Sequence, residues 1–148
     1  MPTFWDAATR DDYCHRVRRL TPQSKPQWGK FTAAEMVAHL NDALRMATGE
    51  LTVKPKPGPL RLFPLKHLIL YVVPFPKGAP TAPELLARCR DADLATEQKA
   101  FVTLAQQAAQ RTAAHASPDH PAFGRMSYDA WGKLICKHTE HHLRQFGI

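Results

Sequence analysis

The sequence predicts an all-α fold, a four-helix bundle, and three observations carry that prediction. Four segments repeat apolar residues every three or four positions, and no stretch keeps the period-two alternation of a sheet strand. Prolines gather between the second and third segments rather than inside any of them. At 148 residues the chain reads as one domain, residues 1–148, long enough to bury a single sizeable core.

The first segment, "DAATRDDYCHRVRRL" (residues 6–20), sets Tyr13, Val17 and Leu20 at helical spacing, and "TPQSKP" stops it. The second, "FTAAEMVAHLNDALRMATGE", opens with Thr32-x-x-Glu35, a capping box whose side chains satisfy the first free N–H groups of a helix. Met36, Leu40, Ala43 and Ala47 mark its stripe, and Gly49 suits the C-terminal cap. Ten of the 13 prolines are Pro22, Pro26 and those between residues 55 and 83. That density excludes a long helix over residues 51–83, although Leu65 to Val73 suit a short one. An apolar but irregular insertion of this kind is expected to pack over the mouth of the core. The third long helix falls within "DLATEQKAFVTLAQQAAQRTAAH", and the fourth runs from Ser127, an N-cap with Asp129 in the first turn, to Phe146 before Gly147.

Composition narrows the function classes. The formal charge of +7 and pI near 9.6 raise the question of a polyanion partner, but the 20 Lys and Arg are scattered from Arg10 to Arg144 without a basic stripe. The charge reads as solubility, with no specific nucleic-acid partner expected. The most apolar run, "LILYVV", is too short to span a bilayer, so no membrane partner is expected either. Cys14, Cys89 and Cys136 are odd in number and form no CxxC pair, and the first residues lack the basic-then-apolar order of a signal peptide. A reducing cytoplasm is the expected location.

The last helix turns from hydrophobic to imidazole along its inner stripe: Trp131, Leu134 and Ile135, then His138 and His142. Residues four apart on a helix differ by about 40° in direction, so His138 and His142 can aim at one point. His141 flanks the same stripe, and geometry alone leaves the choice between it and His142 open. A lone histidine on an apolar face is ordinarily a satisfied core residue; an HxxxH pair is the ordinary way for one helix to supply two metal ligands. A third comes from the second helix, where His39 sits on the stripe between Met36 and Ala43. Three inward imidazoles with an open fourth position describe a catalytic or substrate-binding divalent-metal site. Asp42, three beyond His39, is a candidate acceptor for an imidazole N–H. Glu140, Lys137 and Arg144 are read as surface charges, the three cysteines as ordinary small residues, and His67 as a loop residue able to approach the mouth.

Two stretches carry a family resemblance: "LTPQSKPQWGKFTAAEMVAHLNDALRMATGE", with its W-G-K-(hydrophobic)…H pattern, and "HPAFGRMSYDAWGKLICKHTEHHLRQFG", with HPxFG…WG…HxxHHxRQFG. With the "PFPKGAPTAPEL" connection they cover most of the chain. The sequence resembles the DinB-like superfamily of metal-binding four-helix bundles, and more closely a branch of unknown function. The resemblance implies a metal triad at His39, His138 and His142, and so favours His142 over His141. It also implies a divalent ion such as zinc, nickel or iron, and a homodimer, as many relatives form. Characterised relatives include thiol-dependent isomerases and thiol S-transferases. The expected function is therefore a metal-dependent enzyme of the thiol-transferase or hydrolase type, acting on a small-molecule substrate with a low-molecular-weight thiol as cofactor. The alternative is a non-catalytic, metal-stabilised binding or stress-response module whose site is closed by a fourth protein group, His67 or Glu140.

Overall fold

The computed structural model describes every residue from Met1 to Ile148. It is all-helical: α1 (Ala7–Arg18), α2 (Ala33–Thr48), α3 (Leu65–Tyr71), α4 (Pro83–Cys89), α5 (Leu94–Ala108) and α6 (Tyr128–Gln145), with one 3-10 turn at Pro59–Arg61. There is no strand, only an isolated antiparallel bridge between His120 and Gly124. The four long helices fall where the periodicity predicts them, but the count is six rather than four. The short α3 lies in the stretch that suited one. The other addition, α4, opens on Pro83, which reads in the sequence as part of a breaker run. At the first helical position a proline loses nothing, because its missing N–H would have had no intrahelical partner.

The ends of the long helices are set by local chemistry. Thr32 Oγ1 accepts from the Glu35 amide at 3.2 Å while Glu35 Oε2 accepts from the Thr32 amide at 2.8 Å, closing the capping box. Gly49 ends α2 at φ 83°, a left-handed conformation that glycine adopts without strain. Asp93 and Ser127 cap α5 and α6 through Thr96 and Ala130 amides.

α2 is the central element, packing against α4, α5 and α6, while α1 lies on α5 and α6. Its residues Met36, Val37, Leu40 and Leu44 join Phe4, Phe101, Trp131 and Leu143 in the core. Each such side chain contributes about 1.5–3 kcal/mol by leaving water. Because 11 of its 16 residues are buried, α2 must also bury polar groups, namely His39, Asn41 and Asp42. Those groups need partners.

Two contacts fix the periphery to α6. The segment before α1 crosses that helix at Gly132, whose carbonyl accepts from the Phe4 amide at 3.0 Å. A Cβ there would lie 2.2 Å from Thr3 Oγ1 and 2.4 Å from Trp5 Nε1, so only glycine allows the crossing. On the other flank, Lys137 donates to the carbonyls of Ile69 and Val73 at the end of α3. Lys137 is thus partly buried and structural rather than a surface charge, because the last carbonyls of a helix lack intrahelical donors and an ammonium supplies them. The insertion is held on α6 and carries Phe75 to the histidines. No helix is long and apolar enough to cross a membrane.

Candidate metal centre

His39, midway along α2, meets His138 and His142 from one turn of α6. The ring centroids lie 4.8 Å (His39–His138), 4.9 Å (His39–His142) and 4.7 Å (His138–His142) apart. One candidate ligand nitrogen from each ring lies within 4.8 Å of the others, and His39 Nε2 faces His138 Nε2 at 3.0 Å. His39 and His142 are buried and His138 is partly open. The three sequence-predicted residues are therefore brought together, and no Cys, Asp or Glu joins them.

Burial dominates the electrostatics. It pushes His39 down to about 4, against the opposing pull of the Asp42 charge. His142 is pushed down to about 3 by burial and then by His39, and His138 is held well below the ordinary range by burial and by its neighbours His142 and His39. At neutral pH all three rings are uncharged and can offer lone pairs. The short His39–His138 contact is a hydrogen bond when one ring supplies the proton. When neither nitrogen carries one, both lone pairs can face an ion.

The surroundings of two rings differ. His142 Nδ1 lies 2.8 Å from Gln145 Oε1, and the Gln145 amide nitrogen donates to the Trp28 carbonyl at 2.7 Å. With its NH2 so engaged, Gln145 presents its oxygen, which accepts from His142 Nδ1–H and leaves the Nε2 lone pair facing the cluster. His39 Nδ1, by contrast, is buried with no partner at all. An ion held at about 2.0–2.1 Å by tetrahedral nitrogens would set them about 3.3–3.4 Å apart. The observed spacings bracket that value, so shifts of about an ångström shared among the rings accommodate zinc, nickel or iron. The donor set fits a divalent ion.

The remaining candidates lie elsewhere. His141 is outside the nitrogen cluster, its ring 5.7 Å from Trp28 and 6.1 Å from Phe75. His67 is exposed between Phe63 and Tyr71, and Glu140 pairs with Arg16 at 2.7 Å and Arg144 at 2.6 Å. Neither closes the site. Asp42 does not support an imidazole: its oxygens accept from Arg45 at 3.0 Å and Arg88 at 2.8 Å, two donors stronger than a ring N–H. His120 is structural, since its Nδ1 accepts from the amides of Ala122 (3.1 Å) and Phe123 (3.2 Å) and so ties the "HPAFG" loop. The three cysteines are buried and free, and burial pushes their thiols up, Cys89 to about 11.

Sequence reasoning missed Gln145 as the partner of His142, although a polar residue three positions on along an apolar stripe is a usable signal. It also missed the aromatic walls. Phe31 lies 5.3 Å from His39 and 5.9 Å from His142, and Phe75 lies 6.0 Å from His138. Phe75 arrives from a proline-rich connection in which nothing local marks it.

No curated protein and no solved structure matches the chain. A family model described as "Protein of unknown function (DUF1569)" matches residues 6–147, nearly the whole chain. The protein thus belongs to the DUF1569 family.

Proposed function

We propose that the chain is a divalent-metal-dependent enzyme of the thiol S-transferase or hydrolase type, built as a DinB-like four-helix bundle in which α3 and α4 decorate the long helices. His39, His138 and His142 would hold zinc, nickel or iron. The observation that carries this reading is the convergence of three neutral imidazole nitrogens with no fourth protein ligand. Such an ion supplies Lewis acidity, lowering the pKa of a thiol or water to near neutrality. The chain's own part is to keep His142 in the right tautomer through Gln145, and to wall the site with Phe31 and Phe75. The substrate would be a small molecule, with a low-molecular-weight thiol as the second component, in a cytoplasmic homodimer. A nucleic-acid or membrane role has less support, since Arg16, Arg45, Arg88 and Arg144 are spent on carboxylates within the chain. The closed, non-catalytic module is less well supported too, because His67 and Glu140 are engaged elsewhere.

The test is metal content by mass spectrometry on tag-free protein refilled with divalent ions. About one ion per chain is expected for wild type and His141→Ala, and none for His39→Ala, His138→Ala or His142→Ala. No ion in refilled wild type would sink the proposal.

A further inference from the structure

Beside His142 a line of side chains leads outward from the histidines. The His141 ring packs at 5.2 Å against His142 and at 5.7 Å against Trp28, and the Lys77 ammonium lies 4.4 Å from the Trp28 ring centroid. Phe75 touches both His138 and His141 and forms the adjoining apolar wall. Lys77 is exposed and has no carboxylate within ion-pairing distance, whereas the acids nearest the histidines in sequence, Asp42 and Glu140, are each bound by two arginines. Trp28 also leaves its buried indole N–H without an acceptor.

The donor set adds a second argument. Three neutral imidazoles bring no negative charge, so a divalent ion held by them keeps both of its positive charges. No carboxylate at the site offsets them. An ion of this kind would stand at one end of the run His142–His141–Trp28–Lys77 and a free ammonium at the other, with Phe75 beside it. That order matches a ligand whose reactive end is a thiolate, whose middle is apolar and whose far end is an anion.

Resting on the metal reading above, we infer that Lys77, seated on Trp28, is the anchor for a carboxylate on the distal end of the substrate or thiol, and that the site selects anionic over neutral ligands. Lys77 acts as a specificity-determining residue and takes no part in bond making. The cation over the indole face seats the ammonium at the outer end of that run of side chains.

The test uses cobalt-refilled full-length protein, in which the thiolate-to-cobalt absorption band reports ligand binding directly. The probes are 6-mercaptohexanoate and its neutral amide, which share the thiol and the alkyl chain. The carboxylate is expected to bind about tenfold more tightly than the amide, as for a charge-assisted contact. Lys77→Ala removes that difference and leaves amide binding unchanged, which also shows that the variant is folded. Trp28→Phe, keeping a ring and losing the N–H, gives a smaller loss. Equal affinity of the two probes in wild type, or a preference that survives Lys77→Ala, overturns the inference while the metal site stands. Failure of cobalt to bind removes both, and the two failures are told apart by the cobalt spectrum before any thiol is added.

Discussion

Asp42 and His39 are buried on the same helix within one turn, yet they are satisfied to very different degrees. The Asp42 carboxylate, 4% exposed, accepts from Arg45 at one oxygen and from Arg88 at both. Its polar environment is complete. His39 has one nitrogen with no partner and the other turned toward a second imidazole. Both are costly groups to bury. The first is compensated by the fold itself, and the second keeps one buried nitrogen unpaired. A completed buried ion pair speaks for architecture, and an incomplete cluster speaks for a ligand.

Lowering the pH breaks the contrast most severely. His39 and His142 titrate near 4 and 3 in the fold and near the ordinary 6.5 when unfolded, so below 6.5 the unfolded chain takes up more protons. Stability is full above pH 6.5 and is lost as the pH falls toward 3–4. At about 1.4 kcal/mol per unit, the two rings together should cost the metal-free protein on the order of 8 kcal/mol, seen in urea midpoints across that range. A flat profile would mean that the rings are not buried neutral.

Asp42→Ala should come next, destabilising by about 3 kcal/mol through the uncompensated arginines and the space left behind, with metal content per folded molecule unchanged. Chemical denaturation and metal analysis of the same sample check both halves. Gln145→Ala attacks the other side: metal affinity should fall about 10- to 100-fold as His142 loses the acceptor that orients it, read by chelator competition. The smallest effect has the opposite sign. His39→Leu with His138→Leu removes the unpartnered nitrogen and both sides of the 3.0 Å imidazole contact together, so the metal-free double variant should be more stable than metal-free wild type by about 1 kcal/mol, while binding no ion. A destabilised double variant would place these rings with Asp42, as architecture.

Much of this was readable before the fold was known, wherever the signal is local. The Thr32/Glu35 box, the Gly49 cap and the Ser127 cap each depend on residues within a turn, and they set α2 and α6. The imidazole stripe is equally local, so phase alone points to His39 and His138 and leaves His141 or His142 open, a choice that only the family resemblance makes. What escaped depends on partners far along the chain. Asp42 looked like a support for His39 because Arg88, 46 residues on, could not be placed beside it. Lys137 looked like a surface charge because its acceptors, Ile69 and Val73, belong to the insertion. The helix α4 was hidden because proline forbids helix interiors but not helix beginnings.

Gly132 has a consequence for anyone reading a mutational scan of this family member. An added methyl group would strike Thr3 and Trp5, and Trp5 is itself pinned by a 2.7 Å bond from its indole nitrogen to the Tyr128 carbonyl and by stacking on the Tyr128 ring. In a growth or abundance screen, Gly132→Ala would therefore score as harshly as loss of a histidine. The two phenotypes would look alike and mean different things. Dividing the signal by the amount of folded protein separates them: the glycine variant lowers the number of molecules, whereas a histidine variant lowers what each molecule can hold.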